Sequence, residues 1–249
     1  MIAKNYTARL MALLLLLMSH DALADVETWL AKISEAYGGE HKINVAQSYR
    51  QHGVTFSSMR GREGKVLRAY RHPDHLRIEI DYGPGDIELR LLAGSRSWKQ
   101  NKIVQEPFYS AMLLQAGRLG LPVVLLKFRK HVKDLGSFQG MQGNTLQGLE
   151  LPFHQYNKLV VGIDPMSGRI VESRGVIKIK RFNMNFTTLY DDFRKVDGRL
   201  FAFKETHYVM GRKMGYTHLE QIVIEPLVDE LFYPLKTKPE IKTDIVRIE

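Results

Sequence analysis

Cysteine is absent from all 249 residues. Disulfides, thiol nucleophiles and zinc–thiolate centres are therefore excluded, and the fold has to hold by packing alone. Long hydrophobic runs are scarce as well. The longest, Leu10 to Met18, has about half of the roughly 20 residues that a membrane-spanning helix needs. Catalytic signatures are also missing: there is no Gly-x-Ser-x-Gly nucleophile turn, no His-Glu-x-x-His, no phosphate-cradling glycine loop and no dinucleotide fingerprint. The sequence therefore points away from an enzyme and asks for no cofactor.

The first feature that is present is an address. Lys4 and Arg9 give a positive start, the apolar run follows, then Ser19 to Asp21 are polar, and Ala22-Leu23-Ala24 puts small residues where a signal peptidase reads. This order predicts a cleaved signal peptide over residues 1–24 and a mature chain that starts at Asp25 in the periplasm. No cysteine follows the run, so lipid attachment at a processed N-terminus is excluded. The formal charge of +9 is spread along the chain. With this address, the expected counterpart is transient contact with an anionic membrane surface rather than nucleic acid.

Asp25 to Tyr37 sets Val26, Trp29, Leu30, Ile33 and Tyr37 at helical spacing, with Asp25 as cap and Gly38-Gly39 as stop. From residue 45 the period becomes two. His75 to Tyr82 shows this best, with Leu76, Ile78, Ile80 and Tyr82 on one face and Arg77, Glu79 and Asp81 on the other. Similar runs at 45–57, 65–71, 86–92, 158–163, 170–180, 182–194, 200–209 and 216–225 are separated by turn signals such as Gly83-Pro84-Gly85 and Asp197-Gly198. The pattern predicts a mainly β, α+β fold: a curled antiparallel sheet with one wet face that has to close, curl or be covered. Residues 107–132 break the alternation. They read as two short helices, the second begun by Pro122, apolar nearly all round and suited to lie inside or across the mouth of the sheet. One domain over 25–235 and a charged tail over 236–249 complete the expected layout, and a monomer is the expected state.

An incomplete barrel too wide to be filled by its own side chains leaves an apolar cavity, and burying hydrocarbon there is worth about 0.8 kcal/mol per methylene. Candidate lining residues are Tyr49, Phe56, Leu76, Ile78, Ile80, Leu89, Leu91, Trp98, Phe108, Met112, Leu113, Phe182, Met184, Phe186, Phe201 and Phe203. Taken singly, each fits a packed core equally well; taken as a set, with an apolar plug, they suggest a lipid site. The best metal candidate, His72-Pro73-Asp74-His75 with His52, His207 or His218, suits an ordinary turn better, so no metal is expected. Asp191 and Asp192 are adjacent on a strand and point to opposite faces, which argues against a paired acid and base.

This order of elements resembles the LolA-like superfamily of periplasmic lipoprotein and lipid carriers. The resemblance is carried by Ala36-Tyr37-Gly38-Gly39, by Gly53, by Tyr70 to Glu79, by Gly94-Ser95-Arg96-Ser97-Trp98 and by Pro226 to Phe232. It implies an open half-barrel with an N-terminal helix, helices as a lid over a cavity for acyl chains, and an arginine beneath the lid that holds the closed state. Arg68 and Arg90 are the positions offered for that arginine. It further implies a carrier of a lipid or acylated lipoprotein, working between an inner-membrane exporter and an outer-membrane acceptor. The alternative is an envelope sensor or scaffold that uses the same fold to bind a membrane protein partner. Protein exported by a bacterial host is expected to lack residues 1–24; intact mass spectrometry of the periplasmic fraction checks this, and a full-length mass overturns it.

Overall fold

The computed structural model describes residues 25–153, 157–179 and 181–234; the expected signal segment (1–24) and charged tail (236–249) lie outside them. Residues 25–36 form helix α1, whose Val26, Leu30 and Ile33 are buried together with Tyr37. Gly38 ends it at φ +98, and a Cβ there would stand 2.2 Å from the carbonyl oxygen of Gly198, so only glycine fits this crossing. Alternation predicts a strand from residue 45, but a short helix, α2 (Glu40–Val45), comes first and anchors itself by burying Ile43.

The strands that follow are β1 (Ser48–Ser57), β2 (Arg62–Arg71), β3 (His75–Asp81), β4 (Ile87–Ala93), β5 (Arg96–Lys99) and β6 (Lys102–Ile103). Two helices, α3 (Phe108–Leu119) and α4 (Val123–Lys127), and a 3-10 turn (Arg129–His131) come next. The chain then returns as β7 (Lys133–Gln139), β8 (Thr145–Phe153), β9 (Asn157–Ile163), β10 (Ile170–Ile179), β11 (Phe182–Val196), β12 (Arg199–Val209) and β13 (Arg212–Ile224). All belong to one antiparallel sheet of 13 strands, in the order β6-β5-β4-β3-β2-β1-β13-β12-β11-β10-β9-β8-β7. It consists of two meanders, β1 to β6 and β7 to β13, joined where β1 pairs with β13. The sheet curls without closing, which makes an open half-barrel.

Its edges are β6 and β7, and these are consecutive strands in the chain. The segment between them therefore has to travel from one edge to the other, and it does so across the concave side. Helix α3 packs on β3, β4 and β5 at one end of the sheet and on β9 and β10 at the other. Its Met112 and Ala116 join a core with β1 to β3, while its Leu114 joins a second core with α1, α4 and β8 to β10. Gly175 on β10 makes room for this: a Cβ there would lie 2.1 Å from Leu114 Cδ2. In α4, Val123 to Leu126 are all buried, as an apolar helix with no wet face requires.

The convex face is covered over β2 to β5 by the chain's last described residues. Leu227 and Phe232 pack on Ala69, Leu91, Ala93 and Trp98, and Arg71 donates to the Leu227 carbonyl at 3.1 Å and to the Asp229 carboxylate. Strands β5 to β8 fall outside the runs that alternation identifies. In β8 both faces are buried from Leu146 to Leu151, and β7 is an exposed edge strand with a register shift at Gly136, so neither strand alternates cleanly.

Leu125 is fully buried in the α1–α4–β8 core. Leu125→Ala is expected to cost about 2–5 kcal/mol in denaturant unfolding, whereas Met166→Ala, at an 88% exposed turn position, is expected to stay within about 0.5 kcal/mol.

Candidate functional site

Between α3 and the concave face lies a cavity of about 280 Å3. One wall is apolar, made by Phe56, Val66, Ile78, Ile80, Tyr82, Leu119, Phe186, Val209 and Met214. The other is polar: Thr55, Arg68, Thr188, Tyr190, Glu205, His207 and Thr217 from the sheet, with Gln115 and Arg118 reaching in from α3. The sheet register builds this wall. Arg68 sits opposite Gln51 and Ile78, Glu205 opposite Thr217 and Tyr190, and His207 opposite Thr188, so period two turns all of them to the same side.

Arg68 is the hub of the polar wall. Its Nη1 donates to Glu205 Oε2 at 2.8 Å and to Gln51 Oε1 at 3.4 Å, and its Nη2 donates to Thr217 Oγ1 at 2.9 Å. Thr217 Oγ1 also meets Thr55 Oγ1 and His207 Nε2, each at 3.1 Å. Burial would raise the Glu205 carboxyl, but the charges of Arg68, His207 and Arg118 outweigh it and hold the pKa below the usual carboxylate value. His207 is pushed down to about 4, first by burial and then by Arg68 and Arg118, against the pull of Glu205. The imidazole is therefore neutral at pH 7. Its Nδ1 faces Thr188 Oγ1 at 3.3 Å, while its Nε2 is 3.6 Å from Glu205, outside hydrogen-bond reach. The carboxylate thus serves Arg68 and does not orient the histidine as a base.

The helical segment is tied to the sheet near the start of α3, where Asn157 Nδ2 donates to Ser110 Oγ at 2.9 Å and the Tyr109 hydroxyl to the Gly94 carbonyl at 3.2 Å, and again at the α3–α4 corner. Tyr49 donates its hydroxyl to the Leu119 carbonyl at 2.6 Å, Arg199 Nη2 donates to the Leu121 carbonyl at 3.0 Å, and Arg118 Nη2 reaches the Phe186 carbonyl at 2.7 Å. Arg199 is fully buried, donates also to the Ala46 carbonyl, and lies 4.5 Å from the Phe201 ring centroid and 5.8 Å from that of Tyr49. Cation–π attraction thus stands in for a carboxylate partner. Beside this corner is a smaller space of about 50 Å3, lined by Tyr37, Tyr49, Gln51, Arg118, Leu121, Tyr190 and Phe201 among others.

Of the residues singled out in the sequence, Phe56, Ile78, Ile80 and Phe186 line the larger cavity and Tyr49 and Phe201 the smaller. Leu76, Met112 and Phe203 are buried in the adjoining core, with Phe108 and Leu113 packed against it. Leu89, Leu91 and Trp98 point to the convex side, because the register that turns Arg90 and Leu92 inward with Ile78 and Leu76 turns their neighbours outward under the C-terminal segment. Phe182 is 78% exposed at the start of β11, and Met184, two residues on, is partly exposed. Among the described residues Arg68 bonds to side chains of the sheet and Arg90 pairs with Glu88, while Arg199 is the arginine that bonds the helical segment from the sheet. Among the described residues no group of three or more His, Asp or Glu comes together as a metal site; His72 meets the Tyr70 hydroxyl and His75 the Asp74 carboxylate.

Arg118, Arg199 and Glu205 are the residues that sequence reasoning missed. Glu205 and His207 do carry a signal, since they continue the Phe201–Phe203 face of β12 at period two and so place polar groups on an otherwise apolar side.

His207 and half-buried His72, which burial and then Lys127 also lower to about 4, bind protons in the unfolded chain below pH 6.5 but in the fold only near pH 4. The unfolded state gains protons first, so stability is expected to fall as pH drops from 6.5 to 4. Urea midpoints across that window check this, and His207→Gln is expected to flatten the slope.

No protein-family model matches the chain, and no curated protein does. Solved structures do. A LolA superfamily protein from Nitrosomonas europaea superposes with a TM-score of 0.55 at 11% identity, over 84% of this chain and 97% of that one. A domain described as outer membrane lipoprotein-sorting, from Vibrio parahaemolyticus, aligns over 86% of this chain and 96% of its own at 10% identity, with a TM-score of 0.45. Among the described residues no helix is long and apolar enough to cross a membrane. The curled open sheet and its crossing helices are thus a LolA-like fold.

Proposed function

We propose that the protein is a non-enzymatic periplasmic carrier that takes a lipid, or the acyl chain of a lipoprotein, into the half-barrel and moves it between envelope membranes. The observation that carries this reading is the 280 Å3 cavity roofed by a helix that belongs to neither half of the sheet. Helix α3 is held by Met112, Leu114 and Ala116, apolar contacts that hydrocarbon can replace, and by a few hydrogen bonds at each of its ends. Each methylene buried in place of those contacts returns about 0.8 kcal/mol. The fold shared with the Nitrosomonas protein supports the reading.

The cavity lining runs out to Phe56, Ser57, Tyr82, Val209 and Gly215, at one end of the sheet. The turns at that end carry Met59, Phe182 and Met210, exposed by 84%, 78% and 59%, together with exposed Arg181, Arg212 and Lys213. Apolar tips among basic side chains suit brief contact with an anionic membrane, where cargo is received or delivered.

Displacement of α3 is directly testable because the chain has no thiols of its own. A Cβ at Gly175 would stand 2.8 Å from Leu114 Cγ, so Leu114→Cys with Gly175→Cys brings two cysteines within disulfide range. The oxidised double variant is expected to take up no fluorescent fatty acid, with uptake restored by reduction. Equal uptake in both states would show that α3 does not move, and a wild-type protein that takes up none would remove the carrier reading.

A further inference from the structure

We propose that the ligand is a single-chain amphiphile with an anionic headgroup, a carboxylate or a phosphate, whose charge is met by Arg118. This rests on the carrier reading and narrows it to a chemical class. The argument starts from the charges on the cavity walls. Arg68 is matched by Glu205 at 2.8 Å, and Arg90 by Glu88 at 2.7 Å. Arg118 has no carboxylate within ion-pair distance among the described residues. It makes one hydrogen bond, to the Phe186 carbonyl, and its Nε has no partner.

A guanidinium has five N–H donors in a fixed fork. Arg118 uses one of them; its Nε is buried without a partner among the described residues, and the residue is partly exposed at the cavity wall, so donors remain open to a ligand. Tyr190 and Glu205 act on this cation only through space, and an anion with two or three acceptor oxygens is the chemistry that fills its open donors. Glu205 cannot serve, because Arg68 already holds its carboxylate.

The rest of the ligand follows from what surrounds the cation. Facing the polar wall, Val66, Ile78, Ile80 and Leu119 line the same cavity and offer no hydrogen-bonding side chain, so that side takes hydrocarbon. The volume, about 280 Å3, lies just below the roughly 300–1,000 Å3 of small-molecule pockets, which suits one chain rather than two. Arg118 stands on α3, so the roof itself carries the partner of the headgroup. Closing α3 brings the cation onto the anion, and lifting it withdraws both the cover and the charge.

Displacement of a fluorescent fatty acid by dodecanoate, dodecyl phosphate, dodecanol and inorganic phosphate tests this. The wild-type protein is expected to bind both anionic chains at least about tenfold more tightly than the alcohol, and inorganic phosphate is expected to displace nothing. Arg118→Gln is expected to bring the affinity for the acid down to that for the alcohol, and Arg118→Lys to keep part of the difference. The comparison of acid and alcohol needs only the wild-type chain, so it stands if a variant folds poorly. Equal binding of acid and alcohol by the wild type, an undiminished preference in a folded Arg118→Gln protein, or inorganic phosphate competing as well as dodecyl phosphate would each overturn the inference and leave the carrier reading intact. A protein that binds none of the chains would overturn both.

Discussion

The structure depends on one topological constraint. Strands β6 and β7 are neighbours in the chain but lie at opposite edges of a 13-stranded sheet, because the two meanders are joined in the middle by β1 and β13. Whatever links them has to cross the open side of the curl. That crossing is why α4 buries Val123 to Leu126, why Gly175 has no side chain beneath Leu114, and why a space remains between helix and sheet rather than a filled core. A closed barrel would have no edges to connect and no roof to lift.

Within the space so enclosed, polar groups are more telling than apolar ones. A packed core avoids charge, and a buried pair broken by loss of one partner typically costs about 3–5 kcal/mol. Here Arg68, Glu205, Gln51, Thr217, Thr55, His207 and Thr188 satisfy one another across five strands, so one wall of the cavity is polar without being a liability. Arg199 anchors the corner through backbone carbonyls and aromatic faces, which lets a buried cation stay with no carboxylate beside it. Among the described residues Arg118 is the cavity arginine without a carboxylate partner, and it stands on the element that crosses the opening.

The legible part of this protein was local. In β3 the apolar residues alternate with charged ones, so its inner face could be read directly, and Ile78 and Ile80 do line the cavity. In β4 the alternation misleads: Leu89 and Leu91 go outward beneath the C-terminal segment while Glu88, Arg90 and Leu92 go inward, so the face that carries the charges is the inner one. Arg199, placed straight after the Asp197-Gly198 turn, reads as an ordinary polar turn residue until Ala46 and Leu121 are seen to meet over it.

Period and turn chemistry, which are properties of neighbouring residues, were enough to determine a curled antiparallel sheet, an opening helix and an apolar helical insertion, and composition alone excluded disulfides and thiol chemistry. Which face of each strand is inside, and which arginines are left to backbone carbonyls in place of a carboxylate, were decided only by the tertiary structure. Alternation defines two faces but not their neighbours, and those come from residues such as Arg68 and Glu205, which are 137 positions apart in the chain yet 2.8 Å apart in the fold.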